Sequence, residues 1–146
     1  MSDRINIRNK IVEQLKKLAA FDDTNVQLYK LDRVDKTPFA AVYLGRLTSE
    51  LDDMNSSNAQ GVSRSLRVIV DFHLDTTTGD ADAILSGYLE EMERHVLTAA
   101  KKGEFEGRDA SLEEAEFHPL DASRERKGDM STTWLISYDE TVSTVP

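Results

Sequence analysis

From Ser65 to Leu74 the chain changes character at almost every step. Leu66, Val68, Val70, Phe72 and Leu74 alternate with Ser65, Arg67, Ile69, Asp71 and His73, and only Ile69 breaks the polar set. Successive side chains of an extended strand point to opposite faces, so this run reads as a strand with one face in a core. Such a face must be covered, and two stretches have the helical period to cover it. Ile7, Ile11, Leu15 and Leu18 recur at spacings of four and three, which predicts a helix over about residues 4 to 20 with Ser2 or Asp3 as its N-cap. Ile84, Leu85, Tyr88, Leu89, Met92, Val96 and Ala99 predict a second helix of about five turns. It should end near Lys101-Lys102-Gly103, where a basic last turn is followed by glycine.

Other strands follow from shorter signals. Val26 to Leu31 is a brief β-prone run, and Pro38 to Gly45 is apolar on both faces, hence central, with Pro38 tolerated only at its start. Leu112 to Leu120 is a weak strand interrupted by Pro119, and Thr132, Trp134, Ile136 and Tyr138 alternate with Thr133, Leu135 and Ser137 in a last one. Arg46 to Ser63 has no sustained period and contains the small polar stretch Asn55 to Gly61, so it is expected as a long, exposed, mobile loop. The order α-β-β-β-α-β-β predicts an α+β fold: a largely antiparallel sheet of about five strands with both helices on one face. At 146 residues, with no internal repeat, residues 1–146 are expected to form one domain.

Composition narrows the function classes. The longest apolar uncharged run, Pro38 to Gly45, falls far short of the ~20 residues of a membrane-spanning helix, so no membrane partner is expected. The first residues are charged and lack the apolar core of a signal peptide, which implies a protein that stays where it is made. Absence of cysteine removes disulfides and thiolate chemistry, in keeping with a reducing compartment. Net charge is −9, yet residues 1–20 hold five basic and two acidic side chains, net +3, leaving −12 for the rest. A body of that sign repels phosphates, which argues against tight nucleic-acid binding but allows DNA to slide past an acidic wall.

Signals for chemistry are sparse. Gly-x-Gly-x-x-Gly and Gly-x-x-x-x-Gly-Lys are both absent, and Gly61-Val62-Ser63-Arg64-Ser65 matches only half of a hydrolase elbow. Asp71 and His73 share a strand face and could offer a carboxylate and an imidazole to a metal, although two ligands on one strand do not make a site. His95 and His118 have no partner at ligand spacing. Pro119-Leu120-Asp121 followed by Glu125-Arg126-Lys127 is similar to the Asp…Glu-x-Lys arrangement of metal-dependent nucleases, but places both carboxylates in one turn instead of on adjacent strands. Glu113, Glu114 and Glu116 suggest a solvated edge strand. No catalytic, cofactor-binding or metal-binding residue is therefore assigned, and no cofactor is expected. Candidate assembly contacts are instead the basic residues Arg4, Arg8, Lys16 and Lys17 of the first helix and the apolar residues Leu47, Leu51 and Met54 of the 46–63 segment. The last three, spaced by four and three, would share one side of a short helix formed on contact.

Taken together, the opening helix, the strands Thr37 to Gly45 and Ser65 to Phe72, the long second helix and the closing Trp134-Leu135-Ile136-Ser137-Tyr138 resemble the minor tail protein, or tail terminator, family of tailed bacteriophages. The resemblance implies a structural virion subunit, not an enzyme. It would form a ring, hexameric in that family, which caps the completed tail tube, ends its polymerisation and provides the head-joining surface. Implied partners are other copies of the chain, the tail tube protein and head–tail connector proteins, with DNA only passing through the lumen. Implied locations are the host cytoplasm during assembly and then the virion tail. Two alternatives stand beside it: a head–tail connector or neck protein, and, from another class, a small metal-dependent hydrolase using Asp71, His73 and nearby carboxylates.

Overall fold

A computed structural model describes residues 3–29, 37–75, 80–106, 108–118 and 127–145, apart from the side chains of Met54, Asn55 and Lys127. In chain order the elements are α1 (Asp3–Leu15), β1 (Val26–Gln27), β2 (Phe39–Asn55), β3 (Ala59–Asp75), α2 (Ala81–Lys101), β4 (Asp109–His118) and β5 (Lys127–Ser143). The strands form one sheet in the order β1-β2-β3-β5-β4. β1 runs parallel to β2, and the other three pairings are antiparallel. The α+β architecture and the element order thus match the sequence reading, with one parallel pair making the sheet mixed.

Register decides which residues enter the core. Val68, Val70 and Phe72 of β3 stand opposite Leu44, Val42 and Ala40 of β2 and opposite Trp134, Thr132 and Met130 of β5. These pairs share one face, and Ile7, Ile11 and Leu15 of α1 and Leu85, Met92 and Val96 of α2 close over it. Trp134, the largest of these side chains, is fully buried, and its indole Nε1 donates to Thr132 Oγ1 at 2.8 Å. Thr132 Oγ1 in turn donates to the Val70 carbonyl at 2.9 Å, so the indole N–H and the threonine hydroxyl are both satisfied. Phe21, Phe72 and Tyr88 join α2 and the segment that follows α1 to the sheet through ring contacts of 5.1 to 6.2 Å, each contributing about 0.5–1.5 kcal/mol beyond burial.

Caps set the helix limits. Asp80 Oδ1 accepts from the backbone N–H groups of Asp82 and Ala83 at 3.0 and 3.4 Å, filling donors that the first turn of α2 leaves open. At the other end Gly103 adopts φ 78°, the left-handed conformation glycine takes without a Cβ clash, and its N–H reaches the Ala100 carbonyl. α1 stops at Leu15, short of the expected residue 20, because the chain tightens into turns in which Lys17 and Leu18 N–H bond the carbonyls three residues back. Leu18 stays buried in the core regardless.

The main correction concerns residues 46–63. The expected loop is instead a β hairpin: β2 continues to Asn55 and β3 begins at Ala59, joined through Ser56 to Asn58. β5 also runs further than expected and pairs with β3 along its whole length, from Lys127 opposite Asp75 to Ser143 opposite Ala59. Three strands therefore extend together past the helices as an arm. Among the described residues of the first expected strand, Val26 to Tyr29, only Val26 and Gln27 pair; Lys30 and Leu31, like Pro119 and nearly all of the charged turn at 32–37, lie outside the described residues.

Candidate functional site

Two surfaces of the sheet lie outside the helical layer. The first is the face opposite the helices. There Tyr43 Oη donates to Asp71 Oδ2 at 2.6 Å and Ser131 Oγ to Asp71 Oδ1 at 2.7 Å, so hydroxyls from both neighbouring strands engage the two carboxylate oxygens. His73 Nδ1 lies 2.7 Å from Asp129 Oδ1 across the β3–β5 pair. Burial foremost, then the hydrogen bond to Asp71 and the charge of that carboxylate, raises the Tyr43 hydroxyl pKa well above its usual value and keeps it a donor. On the same face Arg67 Nε meets Glu113 Oε1 at 2.8 Å, next to the irregularity between Leu112 and Glu114 in β4. Asp71 and His73, the two residues that raised a metal reading, are thus joined to separate partners on adjacent strands. Among the described residues no group of three or more histidine and carboxylate side chains could hold a metal ion. The nuclease-like Asp121 and Glu125 lie outside the described residues.

The arm is the second surface. Leu51 faces Val62, and Gln60 faces Val142, so the apolar face of the core sheet runs on beyond its cover. Leu51 is 75% exposed and Val142 37% exposed, whereas Val62 is buried. Asp52 approaches the other side of β3 so closely that a Cβ on Gly61 would lie 2.1 Å from its carboxylate oxygen, which explains a glycine there. Around that contact is an open recess of about 480 Å³ whose lining includes Asp52, Asp53, Asp139 and Glu140. Arg64 sits at the base of the arm, with Nε 2.8 Å from Glu140 Oε2 and Nη1 2.8 Å from Ser49 Oγ. Residues 48–62 and 139–145 carry five carboxylates and no basic side chain.

The assembly candidates divide between core and surface. Leu47 is half-buried and packs against the core, whereas Leu51 stands free on the arm. The side chain of Met54 lies outside the described ones, but its backbone is in β2, so the short helix expected for Leu47, Leu51 and Met54 is replaced by a strand. On α1, Arg4 is exposed and Arg8 donates to the neutral Asn9 Oδ1 at 3.2 and 3.4 Å. Lys16 pairs with Asp23 in the following turn, and Lys17 lies 3.9 Å from Glu104. Sequence reasoning missed Val142 and the Arg64–Glu140 bridge because the strand signal fades after Tyr138. The alternation Tyr138, Glu140, Val142 does continue, with a charged member in place of an apolar one.

Among the described residues no helix is long and apolar enough to cross a membrane. No protein-family model and no curated protein matches the chain.

Proposed function

We propose that this chain is a structural subunit that assembles with copies of itself into a ring. In this reading the ring caps a phage tail tube, ends its polymerisation and provides the surface to which the head joins. The observation that carries the proposal is the arm. A single layer of three strands prolonged beyond its helices has no core of its own, and an exposed leucine on it is best accounted for by a second chain that covers it. An arm projecting from one side of a subunit suits a heterologous contact, the kind that closes into a ring when the rotation between copies permits. The engaged states of Asp71 and His73 on the opposite face support a structural role over a hydrolytic one.

By the resemblance the ring is a hexamer. Its neighbours are the tail tube protein and head–tail connector proteins, and DNA passes through a lumen whose acidity would keep it from sticking. Subunits would collect in the host cytoplasm and end in the virion tail. The test is to add the purified chain to polymerising tube protein and measure tube length by electron microscopy, with oligomeric mass followed by mass photometry. Shortened tubes with one capped end, together with a ring of defined mass, are expected. A chain that stays monomeric at high concentration with tubes present, and leaves their length unchanged, contradicts the reading.

A further inference from the structure

Beyond the helices the strands of the arm lose the supports they have in the body. β1 pairs with β2 at Ala40 and Ala41, and the β4 pairing reaches along β5 as far as Ser137. From there outward β2 and β5 each have β3 alone beside them among the described residues. β2 is loosened further by register shifts between Leu44 and Leu47 and between Leu51 and Asn55, which interrupt its ladder to β3. Three strands stay together in water when an apolar face is covered, and here that face carries the exposed Leu51 and Val142. Side-chain bonds between the strands must make up the difference.

Arg64 is placed to supply them. In register it stands between Ser49 of β2 and Tyr138 of β5. Tyr138 marks the edge of the body, because the Arg108 guanidinium, itself held by Asp3 and Glu106, lies 5.7 Å from its ring centroid. From that edge Arg64 Nε reaches outward to Glu140 Oε2 and its Nη1 to Ser49 Oγ, each at 2.8 Å, so one guanidinium bonds both outer strands. A planar fork can aim donors at two partners at once, which the single ammonium of a lysine does not do in fixed geometry. The Arg64 and Glu140 side chains are 20% and 34% exposed, so water and salt weaken the pair less than one in open solvent. By strand alternation Arg64 shares the face of Val62, which stands opposite Leu51. We infer that Arg64 is the positioning residue of the arm: it clamps β2, β3 and β5 into one layer before a second chain arrives, so that association does not also have to order the arm. The consequence for assembly rests on the ring-forming reading, whereas the clamp is a property of the single chain.

Arg64→Met keeps the aliphatic stem and deletes the donors. In the unassembled chain, amide hydrogen exchange should quicken by about fivefold or more over residues 48–62 and 139–143 and stay unchanged from Val68 to Phe72. The concentration at half-assembly, read by mass photometry, should rise by about the same factor. Arg64→Glu should exceed both effects, since it sets two carboxylates side by side, and the exchanged pair, Arg64→Glu with Glu140→Arg, should return both to within about threefold of wild type. That rescue separates a bond between strands from a simple loss of packing at position 64. If Arg64→Met lowers the melting temperature by more than about 4 °C, Glu140→Gln with Ser49→Ala, which removes the partners and leaves the arginine, replaces it with the same changes expected. Arm exchange equal to wild type, or an exchanged pair no better than Arg64→Glu, overturns the clamp whether or not rings form. Faster arm exchange with an unchanged half-assembly concentration overturns its role in the contact while the ring itself stands. A wild-type chain that never assembles contradicts the ring reading, and the exchange measurements then decide the clamp alone.

Discussion

β2, β3 and β5 are each 17 residues long, and the two ends of these same strands meet opposite surroundings. Under the helices, Val68, Val70, Phe72 and Trp134 are wholly removed from water. On the arm, the continuation of that face carries Leu51, three-quarters exposed, and no helix reaches it. One sheet therefore has two unlike halves: the covered half supplies the fold's stability, and in the proposed ring the bare half is the part that another chain covers. The difference is sharp because hydrophobic stabilisation scales with area removed from water, and the arm removes little on its own.

Substitutions along this divide should differ by an order of magnitude. Trp134→Ala deletes the largest buried side chain and should cost about 3–5 kcal/mol in urea unfolding. A loss under about 1 kcal/mol would mean the covered half is not the source of stability. Thr132→Val, which leaves the Trp134 indole N–H without its acceptor, should cost about 1–3 kcal/mol by the same assay. Asp80→Ala opens the first turn of α2 and should cost about 1 kcal/mol.

The same divide explains what could be read from the sequence. β3 beneath the helices and α2 were legible because burial on one side forces a period of two or 3.6 into the residues. The arm was not, because its β2 strand stands in solvent from Thr48 to Asp53, exposed or half-buried on both sides, so no alternation is imposed there. Glu50, Asp52 and Asp53 in β2 give no strand signal: Glu50 is strand because Ser63 of β3, itself held by β5, pairs with it, and Asp52 and Asp53 lie in the irregularity between the paired Leu51 and Asn55. Asn25 shows a second limit. Its side chain, bonded to the carbonyls of Ala20 and Pro38 and to the Asp22 N–H, places β1 beside β2, a long-range arrangement that no local pattern announces. Of the candidate contacts, Leu51 was identifiable as an apolar residue out of place among polar neighbours. Lys16 and Lys17 could not be recognised as internally paired until the turns after α1 were known.

Alkaline titration should give a smaller effect, confined to the body of the sheet. The unfolded chain releases a tyrosine proton near its ordinary value of 10.0, whereas folded Tyr43 holds its proton to higher pH. Stability present below pH 10 should therefore fall as the pH rises past it, and the fall should be shallower in Tyr43→Phe than in wild type. Equal slopes would remove Tyr43 from the account. The smallest effect belongs to the arm: Leu51→Ser should move the unfolding free energy of the monomer by no more than about 0.5 kcal/mol. A large loss there would place Leu51 in the fold's own core and erase the contrast.

Amide hydrogen exchange tests the division of labour most directly, comparing the chain alone with the chain assembled on tail tubes. The account predicts that residues 48–62 and 139–143 exchange markedly more slowly on assembly, while the Val68 to Phe72 amides, already deep under the helices, do not change. Unchanged exchange along the arm, with new protection confined to the face that bears Tyr43 and Asp71, would show that the subunits meet elsewhere and contradict the account.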